Sequence, residues 1–147
     1  KNILLSKIIV ALGGRAAETL VFGDNEITQG ASSDISFVTQ VAKEMVTKFG
    51  FSNLGPYSIW ADSEEVLVGS SFLSRGMSRS EKLTKAVDIE LRAIVQKGLR
   101  DALALLRPHR SLMDFLVEVL IEEETIEGER FIELANIDNL KKKLSTN

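Results

Sequence analysis

Apolar residues recur at spacings of three and four along most of this 147-residue chain, a period that commits it to helices packed through one face. In the first stretch Leu4, Leu5, Ile8, Ile9, Leu12, Ala16 and Leu20 form one stripe, which predicts a helix from Ile3 to Phe22 stopped by Gly23. Gly13 and Gly14 fall inside it, where each costs about 1 kcal/mol relative to alanine, so close packing of another backbone is expected there. Ile35, Val38, Val41, Ala42, Met45 and Val46 define a second helix, Ser33 to Phe49, ended by Gly50. Ser78 and Glu81 have the offset of a capping box, and a long helix follows with Leu83, Val87, Leu91, Ile94 and Leu103 on its stripe as far as Arg107. Pro108 has no amide hydrogen, so it ends that helix and suits the first turn of the next, carried by Leu112, Phe115, Leu116, Val119 and Leu120. A short last helix is expected from Glu127 to Leu134, with Phe131 and Leu134 docking back and residues 136–147 as a frayed tail.

Only one region departs from the helical period. After the turn signal Leu54-Gly55-Pro56, the aromatic and β-branched Tyr57-Ser58-Ile59-Trp60 and then Val66-Leu67-Val68 predict two short strands or extended segments. The expected fold class is therefore mainly α: a single helical domain over residues 1–147 with a short extended or β segment at about 57–73. A hydrophobic content of 44% is enough for a core of its own. No repeat, low-complexity linker or proline-rich hinge marks a second domain.

Charge and composition exclude several functions. Net charge is −3, and the basic residues are dispersed apart from Lys141-Lys142-Lys143, so no stripe exists to follow a phosphate backbone and nucleic acid is not an expected partner. With no cysteine there is no disulfide framework. No apolar run approaches the ~20 residues of a spanning helix, and the N-terminus lacks a signal-peptide layout, so this piece reads as soluble.

The polar turn Thr28-Gln29-Gly30-Ala31-Ser32-Ser33-Asp34 delivers a carboxylate to the start of the second helix. By residue type alone that is a helix N-terminus, where short oxygen-bearing side chains accept bonds from free amides and a carboxylate favours the positive end of the dipole. The turn does not stand alone. Ala11 to Glu18, Phe22-Gly23, Ile27 to Asp34, Val46 to Gly50, Leu54-Gly55-Pro56 and Glu122 to Phe131 occur in an order and spacing that resemble the peptidase half of the FtsH-type, ATP-dependent zinc metalloproteases. The resemblance spans roughly residues 3–135, and Tyr57-Ser58-Ile59-Trp60 is more similar to the plastid and cyanobacterial branch.

That resemblance implies that Asp34 matches the aspartate that coordinates zinc opposite two histidines of a His-Glu-x-x-His helix. A carboxylate oxygen at about 2 Å would leave a fourth position for water, whose pKa the metal lowers towards ~7. The chain has one histidine, His109, and no cysteine, so it cannot alone build a three-ligand centre, and no catalytic residue is expected within it. Because it starts at Lys1 with the apolar pattern already under way at Ile3, the missing motif is expected upstream, in a longer parent. Glu18 is the rival ligand; it reads otherwise as a helix-surface acid paired with Arg15, a solvated end residue, or a carboxylate supporting one of the histidines, and the last is adopted. Thr28 and Gly30 are assigned to shaping the turn. His109 reads as a surface or capping residue, Trp60 and Phe72 as core aromatics, and Glu122 to Glu124 as a solvated helix end.

The resemblance further implies ATP and magnesium in a preceding ATPase module, unfolded polypeptides as substrates, homo- or hetero-hexameric rings and an N-terminal membrane anchor. The parent would sit in a bacterial inner membrane or a plastid thylakoid. The competing reading is a proteolytically inactive relative kept as an assembly scaffold.

Overall fold

Leu12 is where the computed structural model first departs from the pattern of the sequence: its ψ of −2° divides the expected first helix into α1, Asn2–Ala11, and α2, Gly13–Phe22. The Leu12 amide still donates to the Ile8 carbonyl at 3.0 Å, and the Ala16 amide to the Leu12 carbonyl at 2.9 Å. The joint is thus a local change in ψ without loss of hydrogen bonding, at the point where two glycines lower the helical preference. The structure describes residues 1–56, 58 and 81–145, with side chains to residue 137. The remaining helices are α3, Ser32–Thr47, α4, Glu81–Leu106, α5, Arg110–Glu123, and α6, Gly128–Ser145. No strand occurs among the described residues, as a mainly α fold requires. The extended segment expected at 57–73 lies outside them apart from Ser58, and so do Trp60, Phe72 and the Ser78 end of the capping box.

The described backbone falls into two compact units, Lys1–Leu103 and Ala104–Asn147. In the first, α1 packs on α3, and the core is Ile8, Leu12, Ala16, Val38, Ala42, Met45 and Val46 with Val87 and Ala102 of α4. Burying these apolar side chains is the main stabilising contribution, about 1.5–3 kcal/mol for each large one. Thr47 is the buried polar residue of this core, and its hydroxyl donates to the Lys43 carbonyl at 2.8 Å, so burial leaves no group unpaired.

Close packing at a glycine does occur, but not where the sequence suggested. A Cβ placed on Gly13 or Gly14 meets nothing within 4 Å among the described residues, whereas one on Gly98 would lie 2.6 Å from Ile8 Cγ2 and 3.2 Å from Leu12 Cδ1. The missing methyl of Gly98 is what lets α4 approach α1. Gly50, at φ 61°, ends α3 by turning the chain so that the Phe51 amide reaches back to the Met45 carbonyl at 2.8 Å. The following turn is tied to α4, because the Asn53 amide and Nδ2 donate to the Glu90 carboxylate at 3.2 and 3.1 Å.

In the second unit Pro108 sits in a single 3-10 turn, Arg107–His109, ahead of α5, and His109 is exposed at the N-cap of α5 without a side-chain capping bond. Glu124 closes α5 in the left-handed region at φ 61°. Glu123 is more than a solvated end residue: Arg130 Nη2 donates to its Oε1 at 2.6 Å, clasping the turn between α5 and α6. That hydrogen bond, reinforced by the guanidinium charge, holds the Glu123 carboxyl below the usual carboxylate range. Of the two residues expected to dock back, Leu134 is buried and Phe131 is half exposed. The final helix does not stop at Leu134; it continues to Ser145, since no glycine or proline interrupts residues 135–145.

Candidate functional site

The turn before α3 is built by Thr28. Its Oγ1 accepts the Gly30 amide at 3.2 Å and so caps the 3-10 turn Gln29–Ala31, which runs without a gap into α3 at Ser32. The N-cap of α3 is Ala31, which has no capping side chain, and Asp34 falls in the first helical turn. There the amide end of the helix favours its negative charge.

The Asp34 carboxylate is exposed, and it lines a groove of about 650 Å³ formed with Ile3, Ser6, Lys7, Val10 and Ala11 of α1 and with Phe37 of α3. Ile3 and Val10 are 75% and 79% exposed, so apolar walls surround one carboxylate and one ammonium. An oxygen donor in a wide, apolar-walled groove is open to a ligand on its solvent side.

Glu18 lies on α2, and its carboxylate pairs not with Arg15, three residues back on the same helix, but with Thr28: Thr28 Oγ1 donates to Glu18 Oε1 at 2.6 Å. The other oxygen, Oε2, is buried and has no hydrogen-bond partner among the described residues. Such an orphan is unfavourable by about 1–3 kcal/mol, and more for a charged group, so its presence calls for a donor from outside these residues.

These observations bear on whether a zinc ion fits. Asp34 would offer one hard oxygen and Glu18 one acceptor for a histidine N–H, both of the right chemistry. No group of three His, Cys, Asp or Glu able to hold a metal occurs among the described residues, so the donors among them are compatible with a zinc site and do not complete one. The bond joining Thr28 to Glu18 was not legible from the sequence. Its ten-residue separation matches no helical period, and it arises only because Gly23 ends α2 and the chain turns back.

Residues 1–134 match the profile of Peptidase family M41. The Arabidopsis thaliana protein named ATP-dependent zinc metalloprotease FTSH 8, chloroplastic is 42% identical over 131 residues, 89% of this chain and 19% of its own. Proteins named ATP-dependent zinc metalloprotease FtsH are 43% identical over 134 residues in Cyanidium caldarium, 91% of this chain and 22% of theirs, and 40% identical over 135 residues in Trieres chinensis, 91% and 21%. The chain thus spans about a fifth of the length of these curated relatives.

Proposed function

The chain belongs to peptidase family M41, and from that premise we propose that it is the C-terminal part of the peptidase domain of an ATP-dependent zinc metalloendopeptidase. The parent protein degrades unfolded or damaged membrane and soluble proteins, works as a homo- or hetero-hexamer, and uses ATP and magnesium in an ATPase module outside these residues. It is held at a bacterial inner membrane or a plastid thylakoid by an anchor that is likewise outside them. No described helix is long and apolar enough to cross a membrane. The relatives named as chloroplastic support the plastid branch.

One observation carries the reading: in a chain that matches a zinc-protease family over residues 1–134, Asp34 presents its carboxylate to an apolar-walled groove instead of capping its helix. Bound zinc supplies Lewis acidity, polarising a peptide carbonyl and lowering the pKa of a water towards ~7. Asp34 would hold the ion, and the first turn of α3 positions its carboxylate. Glu18, through its Oε2, would accept the N–H of a histidine from the expected upstream motif and so fix the orientation of that ring. Ile3, Val10 and Phe37 place apolar surface beside the carboxylate.

Substituting Asp34→Asn in the full-length protein tests the assignment. Zinc affinity is expected to fall by more than the roughly 10–100-fold that loss of an outer partner causes, with casein proteolysis lost and helix content retained. Wild-type zinc content and proteolysis in that variant would remove Asp34 from the metal site.

A further inference from the structure

We propose that Thr28 is a positioning residue of the metal site, locking the Glu18 carboxylate and the turn before Asp34 into one unit; the proposal rests on the zinc reading of Asp34 above. A threonine hydroxyl has a single proton and lone pairs to share. At Thr28 both are committed in a fixed direction. The Gly30 amide donates into Oγ1 at 3.2 Å, and the hydroxyl proton goes to Glu18 Oε1 at 2.6 Å, within the short range of hydrogen bonds to a carboxylate.

Three consequences follow from that commitment. Glu18 cannot rotate without breaking a charge-assisted bond, so its second oxygen keeps one aim, and that buried oxygen is the one lacking a partner. The same hydroxyl caps Gln29–Ala31, and six residues of continuous backbone link Thr28 to Asp34, so a shift at Thr28 is carried to the carboxylate in the groove. Gly30 is small enough for the arrangement: a Cβ there would lie 3.3 Å from Thr28 Oγ1, tight against the oxygen that its own amide must reach. Thr28 is exposed, so filling the core is not what the fold needs from it.

The experiment measures the zinc dissociation constant of the full-length protein by chelator competition for Thr28→Val, Thr28→Ser, Glu18→Gln and the Thr28→Val, Glu18→Gln double variant, with circular dichroism of each metal-free form. Thr28→Val keeps the side-chain volume and removes both bonds; zinc binding is expected to weaken about tenfold, in the range of outer partners of metal ligands, at unchanged helix content. Thr28→Ser keeps the hydroxyl and is expected to bind within about twofold of wild type on the same scale. In the Glu18→Gln background Thr28→Val is expected to add less than about threefold, the part carried through the Gly30 turn, because the part that acts through the Glu18 carboxylate is already lost. Wild-type affinity in Thr28→Val, a defect in Thr28→Ser as large as in Thr28→Val, or fully multiplicative effects in the double variant would each overturn the proposal. The two readings fail separately. If Asp34→Asn abolishes zinc binding while Thr28→Val leaves it intact, only the role of Thr28 is lost, whereas zinc retention in Asp34→Asn overturns the site itself.

Discussion

Helices α3 and α5 look alike as sequences, each a run of apolar residues at helical spacing with polar residues between them, yet they meet different fates. Along α3, Val38, Val41, Ala42, Met45, Val46 and Thr47 are buried, whereas α5 buries none of its residues and leaves Val117, Leu120 and Ile121 from 46% to 76% exposed. The difference teaches that a period of 3.6 specifies a face and says nothing about what covers it. Coverage of α3 comes from α1, which precedes it by α2 and two short turns; among the described residues of its own unit α5 lies against α6 and the turn before it.

The largest expected effect breaks the comparison at its centre. Met45 is fully buried, so Met45→Ala is expected to destabilise the chain by about 2–5 kcal/mol, while Ile121→Ala stays within about 0.5 kcal/mol. Denaturant midpoints measured side by side would decide it, and equal losses would mean that α5 is covered as α3 is.

A smaller effect, with a change of sign, sharpens the same lesson for glycines. Gly98→Ala drives a methyl into buried Ile8 and is expected to lose about 1–3 kcal/mol by overpacking, only partly offset by the roughly 1 kcal/mol alanine gains in a helix. Gly14→Ala has open space around it and is expected to gain about 0.4–1 kcal/mol. Thermal melts in which both substitutions moved stability in the same direction would contradict the packing seen at Gly98.

The smallest effect concerns the polar clasp of the second unit. Glu123 has its carboxyl lowered by Arg130, so the stability it contributes is present above the unfolded carboxylate value of about 4.3 and is lost as pH falls through the lower folded value. Both groups are exposed to solvent, and the contribution is small. The melting-temperature difference between wild type and Arg130→Gln is expected to be present at pH 7 and to narrow as pH falls below the unfolded carboxylate value. A gap that stays constant over that range would assign the effect of Arg130 to its aliphatic stem.

Much of the helix content was legible because periodic stripes and breakers are local signals. Pro108 ended α4 within a residue of the expected place, and Gly50 ended α3 through the positive φ its position requires. Boundaries without a breaker were not legible: nothing in the apolar pattern foretold the change in ψ at Leu12 or the continuation of α6 to Ser145. For the candidate site, Asp34, Glu18, Thr28 and Gly30 were all legible as residues in an ordered family pattern. The groove at Asp34 was not, since its walls come from Ile3, Lys7 and Val10 on a different helix.

The sequence by itself determined that this chain is helical, that it carries no nucleic-acid-binding stripe, and that one histidine without cysteine cannot complete a zinc centre, because each follows from residue type and period alone. Only the tertiary structure decided which glycine is sterically required, which amphipathic face is covered, and that Thr28 joins Glu18 to the turn before Asp34. Those are contacts between residues far apart along the chain, fixed by how helices pack and not by the local preferences from which helices form.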